Sequence, residues 1–90
     1  MFEVYLSGKS VKTLRRLDKQ IVERVKKFLS NLKTSPLPVS EYDLKKISGM
    51  HDVYRVRISR YRIIYKIDWE SNEINVIKIA KRSEMTYKKL

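Results

Sequence analysis

Arg55, Arg57, Arg60, Arg62 and Lys66 stand within the fifteen residues DVYRVRISRYRIIYK, positions 52 to 66. Their neighbours are the β-branched and aromatic types that build buried strands, so cations repeated through this stretch need a reason. Arginine carries a planar fork of N–H donors that grips two phosphate oxygens at once, and its charge persists at any physiological pH. Lys78, Lys81 and Arg82, in and just after the last apolar run, add to the same charge. The chemistry on offer is the binding of a phosphate backbone. It extends to metal-independent RNA cleavage, in which a 2′-OH attacks the adjacent phosphorus and guanidinium groups stabilise the charge building on the phosphorane. Aromatic side chains can stack and splay the bases to align that attack. Binding without cleavage is equally compatible with these residues.

Other chemistries find little support. The chain has no cysteine, which removes disulfides, thiolate metal sites and a cysteine nucleophile. His51 is its only histidine and falls in a loop, so a two-histidine acid–base pair is impossible. The carboxylates show no metal-ligand spacing, and with Gly8 and Gly49 the only glycines there is no phosphate-cradling glycine loop. No cofactor and no metal are expected.

Lys and Arg number 21 against 10 Asp and Glu, a formal charge of +11 in 90 residues. A length of 90 makes one domain, residues 1–90, with little room for a second core. Self-repulsion of this size weakens the compact state, and its usual counterpart is nucleic acid, an anionic membrane or an acidic protein. A thermophile-style charged surface would balance Lys with Glu instead. No apolar run approaches the ~20 residues of a spanning helix. The opening MFEVYLSGKS lacks the apolar core of a signal peptide. The reading is a cytoplasmic protein with no membrane partner.

The elements that must position the cations follow from hydrophobic periodicity. Phe2, Val4 and Leu6 alternate, which predicts a strand over 2–6. Ser7 is placed to cap a helix carrying Val11, Leu14 and Leu17, and Asp18 to cap a second. Ile21, Val25, Phe28, Leu29 and Leu32 form the apolar stripe of that second helix. Pro36 and Pro38 then stop it. The period switches to two, predicting strands over 42–47, 53–58, 61–68 and 74–80, with a polar tail from 81 that has room for one or two helical turns. Helices followed by a run of strands imply an α+β fold, in which an N-terminal two-helix hairpin packs on one face of a largely antiparallel sheet.

If Ser59 and Arg60 form the turn of the central hairpin, facing residues have numbers that sum to 119. One face then pairs Ile58 with Tyr61, Val56 with Ile63 and Tyr54 with Tyr65, and belongs under the helices. The other pairs Arg57 with Arg62, Arg55 with Ile64 and Val53 with Lys66. A one-residue slip would exchange the faces, so the register is strongly specified. Ser–Arg is not a favoured two-residue turn. Like charges directly opposite destabilise a sheet, and no carboxylate relieves them between 53 and 66. Lys78 and Arg82 share the parity of the exposed face, as do Ile64, Ile74 and Val76, which the tail or a partner must cover. The long polar helix face, with Lys12, Arg15, Arg16, Lys19, Arg24, Lys26 and Lys27, fits ribosomal RNA and any solvated helix equally well.

The stretch LKKISGMHDVYRVRISRYRIIYKID, followed by VIKIAKRSEMTYK, resembles the RelE toxins of type II toxin–antitoxin systems. The lead-in PLPVSEYDLKKI is similar to that of the archaeal branch, and the likeness covers nearly the whole chain. It implies the RelE/ParE-like fold and a ribosome-dependent endoribonuclease that cuts mRNA in the A site, leaving a 2′,3′-cyclic phosphate and a 5′-hydroxyl. Its implied partners are the ribosome with A-site mRNA and a cognate RelB-like antitoxin, acidic and helical, that wraps the toxin. Carried over, Arg55 and Arg57 occupy two positions that are lysines in other members. Arg62 matches the arginine of the Tyr-Arg motif, Arg82 the arginine acting on the leaving group or transition state, and Tyr87 the base-stacking tyrosine. The resemblance thus implies catalytic roles for Arg57, Arg62, Arg82 and Tyr87; phosphate contacts are expected of Arg55, Arg57, Arg60, Lys78 and Lys81 as members of the same cationic surface.

Two positions depart from the pattern. Arg57 stands where a lysine is held to be the general base, and a guanidinium with a pKa above ~12 is a poor base at neutral pH. Ser48 replaces a further basic residue of some members. The same fold also hosts ParE-like poisons of DNA gyrase, a group that tends to lack counterparts of Arg82 and Tyr87. A non-catalytic basic RNA-binding module is the third reading.

Overall fold

The computed structural model describes residues 1–84, with only the backbone of Glu84. It contains β1 (Glu3–Leu6), α1 (Gly8–Arg16), α2 (Lys19–Leu32), β2 (Asp43–Lys46), β3 (Val53–Ile58), β4 (Tyr61–Asp68) and β5 (Glu73–Lys81), then a 3-10 turn over Arg82–Glu84. The helices follow β1 rather than opening the chain. The strands form one sheet in the order β1-β5-β4-β3-β2. The central pairs are antiparallel, as expected, but β1 runs parallel to β5, so the sheet is mixed.

Both helices dock on one face. Val25, Phe28, Leu29 and Leu32 recur at helical spacing and are buried against Val56, Ile58, Ile63, Tyr65 and Ile67 of the central strands. Leu14 and Leu17 of the first helical segment join the same cluster from its margin. Phe28 meets Tyr42 and Tyr65 edge-on, at ring-centroid distances of 4.9 and 5.8 Å. The Tyr65 hydroxyl donates to the Pro36 carbonyl at 2.9 Å, which ties the proline loop to the sheet. Burial raises the pKa of that phenol, so it stays neutral.

The hairpin register is the one that summing to 119 predicts, from Ile58 with Tyr61 to Val53 with Lys66. Its turn is Ser59–Arg60, and Ser59 sits at a φ of 56°, the left-handed region that a two-residue hairpin turn demands.

On β5 the expectation fails at two residues. Ile74 and Val76 belong to the core beneath the helices, not to the opposite face. The cause is a shift in register: Ile64 pairs with Lys78, but Tyr65 pairs with Val76, leaving Ile77 extra. Such a bulge reverses the alternation of everything before it. The start of α1 anchors it. Ser7 caps the helix by accepting from the Ser10 amide at 3.1 Å. The Ser7 hydroxyl lies within donating distance, 3.0 Å, of the Ile77 carbonyl, and its own amide donates to the Val76 carbonyl at 3.0 Å. Ser10, fully buried, places its hydroxyl 3.4 Å from the same Val76 carbonyl.

Candidate nucleic-acid interface

The face away from the helices carries two rows of side chains across four strands. One row runs Asp43, Arg57, Arg62, Ala80, and the next runs Lys45, Arg55, Ile64, Lys78. Arg55, Arg57, Arg62 and Lys78 are therefore brought together. Arg57 lies directly opposite Arg62, a like-charge pairing that a sheet tolerates only with compensation.

This face is open only in part. The Arg57 side chain is 46% exposed, whereas that of Arg55 is 7% exposed and Ile64 is fully buried. Val53, in the next row, is buried as well. Arg62 and Lys78 are half-buried. A buried guanidinium cannot lose its proton, so it must find anionic or hydrogen-bonding partners.

Asp43 supplies part of that, and sequence reasoning missed it. Its carboxylate lies 3.1 Å from Nη2 of Arg57 and 3.6 Å from Nη2 of Arg55. Nη1 of Arg55 is buried with no hydrogen-bond partner among the described residues. The first β-segment after the prolines was legible, but the long 47–52 connection leaves its register against β3 unspecified. Nothing in the one-dimensional pattern set Asp43 across from Arg57.

Arg60, Lys81 and Arg82 gather at the end of the sheet beside this row. The Arg82 amide donates to the Arg60 carbonyl at 3.3 Å, fastening the residue after β5 to the hairpin turn. The three line a depression of about 500 Å³ with Ser83, and all three are exposed. Lys81 pairs with Tyr61 and so has the parity of the helix-covered side. It also borders a groove of about 770 Å³ between α1 and β5, shared with Lys9, Arg16 and Lys78. Around the other edge, Arg57 and Asp43 meet Arg24 and Lys27 of α2 in a cleft of about 420 Å³. Tyr87 lies outside the described residues.

The far end of the same face is acidic. Glu3, Glu73 and Asp68 are cross-strand neighbours there. Asp68 has a lowered pKa, chiefly because its carboxylate accepts hydrogen bonds from Ser71, with the Glu70 amide contributing. His51 is exposed, in the loop before β3, and its Nε2 lies 3.0 Å from Asp52. No group of three or more His, Cys, Asp or Glu among the described residues is arranged to hold a metal ion. No described helix is long and apolar enough to cross a membrane.

Residues 4–86 match the family model described as the ParE toxin of the type II toxin–antitoxin system parDE. The chain belongs to the RelE/ParE superfamily of type II toxins. It is 34% identical over 87 residues to a Methanocaldococcus jannaschii protein carrying the toxin name RelE1, an alignment covering 97% of this chain and 96% of that one. The RelE–RelB complex of Pyrococcus horikoshii OT3 contains a chain that superposes with a TM-score of 0.84 at 30% identity, covering 93% of this chain and 98% of that one. The isolated E. coli RelE toxin superposes with a TM-score of 0.78 at 25% identity, covering 99% and 92%. Among superfamily members the sequence and fold are thus of RelE type, and the arginine rows lie on the sheet that these toxins share.

Proposed function

We propose that this toxin is a ribosome-dependent endoribonuclease that cuts mRNA in the A site without a metal ion. The observation that carries the reading is the gathering of Arg55, Arg57 and Arg62 on the helix-free face, with Arg82 fastened to the adjoining hairpin turn. In this reading the 2′-oxygen of a nucleotide bonds to the adjacent phosphorus as the bond to the 5′-oxygen breaks. The products are a 2′,3′-cyclic phosphate and a 5′-hydroxyl. Arg57 and Arg62 stabilise charge on the phosphorane, and Arg82 stabilises the departing oxygen. Arg57 remains a guanidinium and takes no proton; the 2′-OH proton passes to water and water returns one to the departing 5′-oxygen, so positioning and charge carry the rate. Arg60, Lys78 and Lys81 hold flanking phosphates, and Tyr87 stacks on a base. The proposed protein partner is a cognate antitoxin with acidic, helical segments. The solved complex of the Pyrococcus horikoshii relative and the +11 charge of this chain both favour it.

Poisoning of DNA gyrase is the second reading, because the matching family model bears the ParE description. The two separate in a translation extract run beside a gyrase supercoiling assay. Added protein is expected to stop synthesis and leave mRNA cut at A-site codons with 5′-hydroxyl ends. Arg82→Ala should lower cutting by about 10²–10³-fold with folding intact, the scale of losing one transition-state donor. Continued synthesis together with lost supercoiling would transfer the chain to the gyrase class.

A further inference from the structure

The Asp43 carboxylate is set where the arginine rows would receive an anion. It stands directly across β2 and β3 from Arg57, and it reaches past Arg57 toward Arg55. It satisfies the two guanidinium groups unequally. The 3.1 Å contact to Arg57 is within hydrogen-bonding distance, whereas 3.6 Å to Arg55 is an ion pair without a hydrogen bond. Arg55, though buried, keeps Nη1 unpartnered among the described residues. A carboxylate serving only to neutralise the pair would be expected to close on the buried cation, where screening is weakest. Instead it rides on the edge strand with 44% of its side chain exposed, free to turn toward solvent.

Carboxylate and phosphate are the two anions that the guanidinium fork accepts with the same bidentate geometry. From this match we infer that Asp43 is the resident occupant of a phosphodiester seat formed by Arg55 and Arg57, and that an RNA backbone phosphate binds there by displacing it. The inference rests on the RNA reading of this face and adds a built-in competitor to it. Asp43 then keeps the arginines aligned and shielded from stray polyanions, and raises the affinity threshold an RNA must pass. The ligand class is a phosphodiester in single-stranded RNA.

The test measures fluorescence-anisotropy affinities of a single-stranded RNA oligonucleotide, 2′-O-methylated throughout to prevent cleavage. The proteins are the full chain, Asp43→Asn, Asp43→Ser and Glu70→Gln. Glu70 is exposed in the β4–β5 turn and its removal changes the net charge equally. Both Asp43 variants are expected to bind about three- to tenfold more tightly, the worth of one partly exposed ion pair. Glu70→Gln should bind nearly as the parent does. The gain should vanish when Arg57→Ala is combined with Asp43→Asn. Folding of each variant is read from its thermal unfolding, and Asp43→Ser serves if Asp43→Asn does not fold. Equal or weaker binding by a folded Asp43 variant would overturn the inference and make the carboxylate a structural counter-ion. An equal gain in Glu70→Gln would overturn it in favour of bulk charge. If the parent protein shows no salt-sensitive RNA binding, the RNA reading itself falls, and the inference with it.

Discussion

The two faces of the central hairpin are made from the same six residues per strand, yet they do opposite things. Toward the helices, Tyr54, Val56 and Ile58 meet Tyr65, Ile63 and Tyr61, and every pairing is apolar or aromatic. The one buried phenol, Tyr65, finds the Pro36 carbonyl. On the other side Arg57 faces Arg62, and a buried Arg55 keeps a donor without a partner among the described residues. One face gathers apolar surface and satisfied groups, which is what holds a 90-residue domain together. The other concentrates charge where the sheet gains nothing from it. A small domain has only ~5–15 kcal/mol of net stability, and the proposed phosphate contacts give such a face a reason to persist.

The comparison is broken most severely from the core side. Phe28→Ala removes the ring that touches both Tyr42 and Tyr65 and leaves a cavity under the sheet. It should cost about 3–5 kcal/mol, read as a lower denaturation midpoint in urea with an unchanged slope. RNA affinity measured on the folded fraction should be intact. The smallest expected effect is at the acidic end. Asp68 has a lowered folded pKa, so its contribution is fully present above the ordinary aspartate value and is lost as pH falls through the lowered one. Asp68→Asn should therefore be slightly less stable than the parent at neutral pH. The difference should shrink on acidification, as thermal melts recorded across the acid range would show. Melts whose difference grows toward low pH would mean that Asp68 contributes nothing through its charge.

Most of the architecture was legible because it rests on local rules. Alternation placed β3 and β4 at their observed ends, and the Ser59–Arg60 turn fixed which residues face one another. Helical spacing picked out Val25, Phe28, Leu29 and Leu32, and Ser7 caps α1 as expected. What escaped depends on contacts distant in sequence. The bulge at Ile77, stabilised from Ser7 seventy residues earlier, moved Ile74 and Val76 into the core. The parallel pairing of β1 with β5 is equally non-local. In the site, Arg55, Arg57 and Arg62 came from period two alone, whereas Asp43 required the register of a strand joined by a long loop. Charge density was visible in the sequence. Its compensation was not, because the compensating carboxylate sits on another strand.

The claim beneath all of this is that the arginines opposite the helices contact phosphates. The direct measurement is the salt dependence of single-stranded RNA affinity for the parent protein and for Arg57→Ala, as the slope of log K against log salt. Each phosphate contact on a single strand contributes about 0.7 to that slope. The parent should show a steep slope, and Arg57→Ala a slope shallower by about one contact, with weaker binding at every salt concentration and unchanged folding. Identical slopes for the two proteins would contradict the account, because Arg57 would then touch no phosphate.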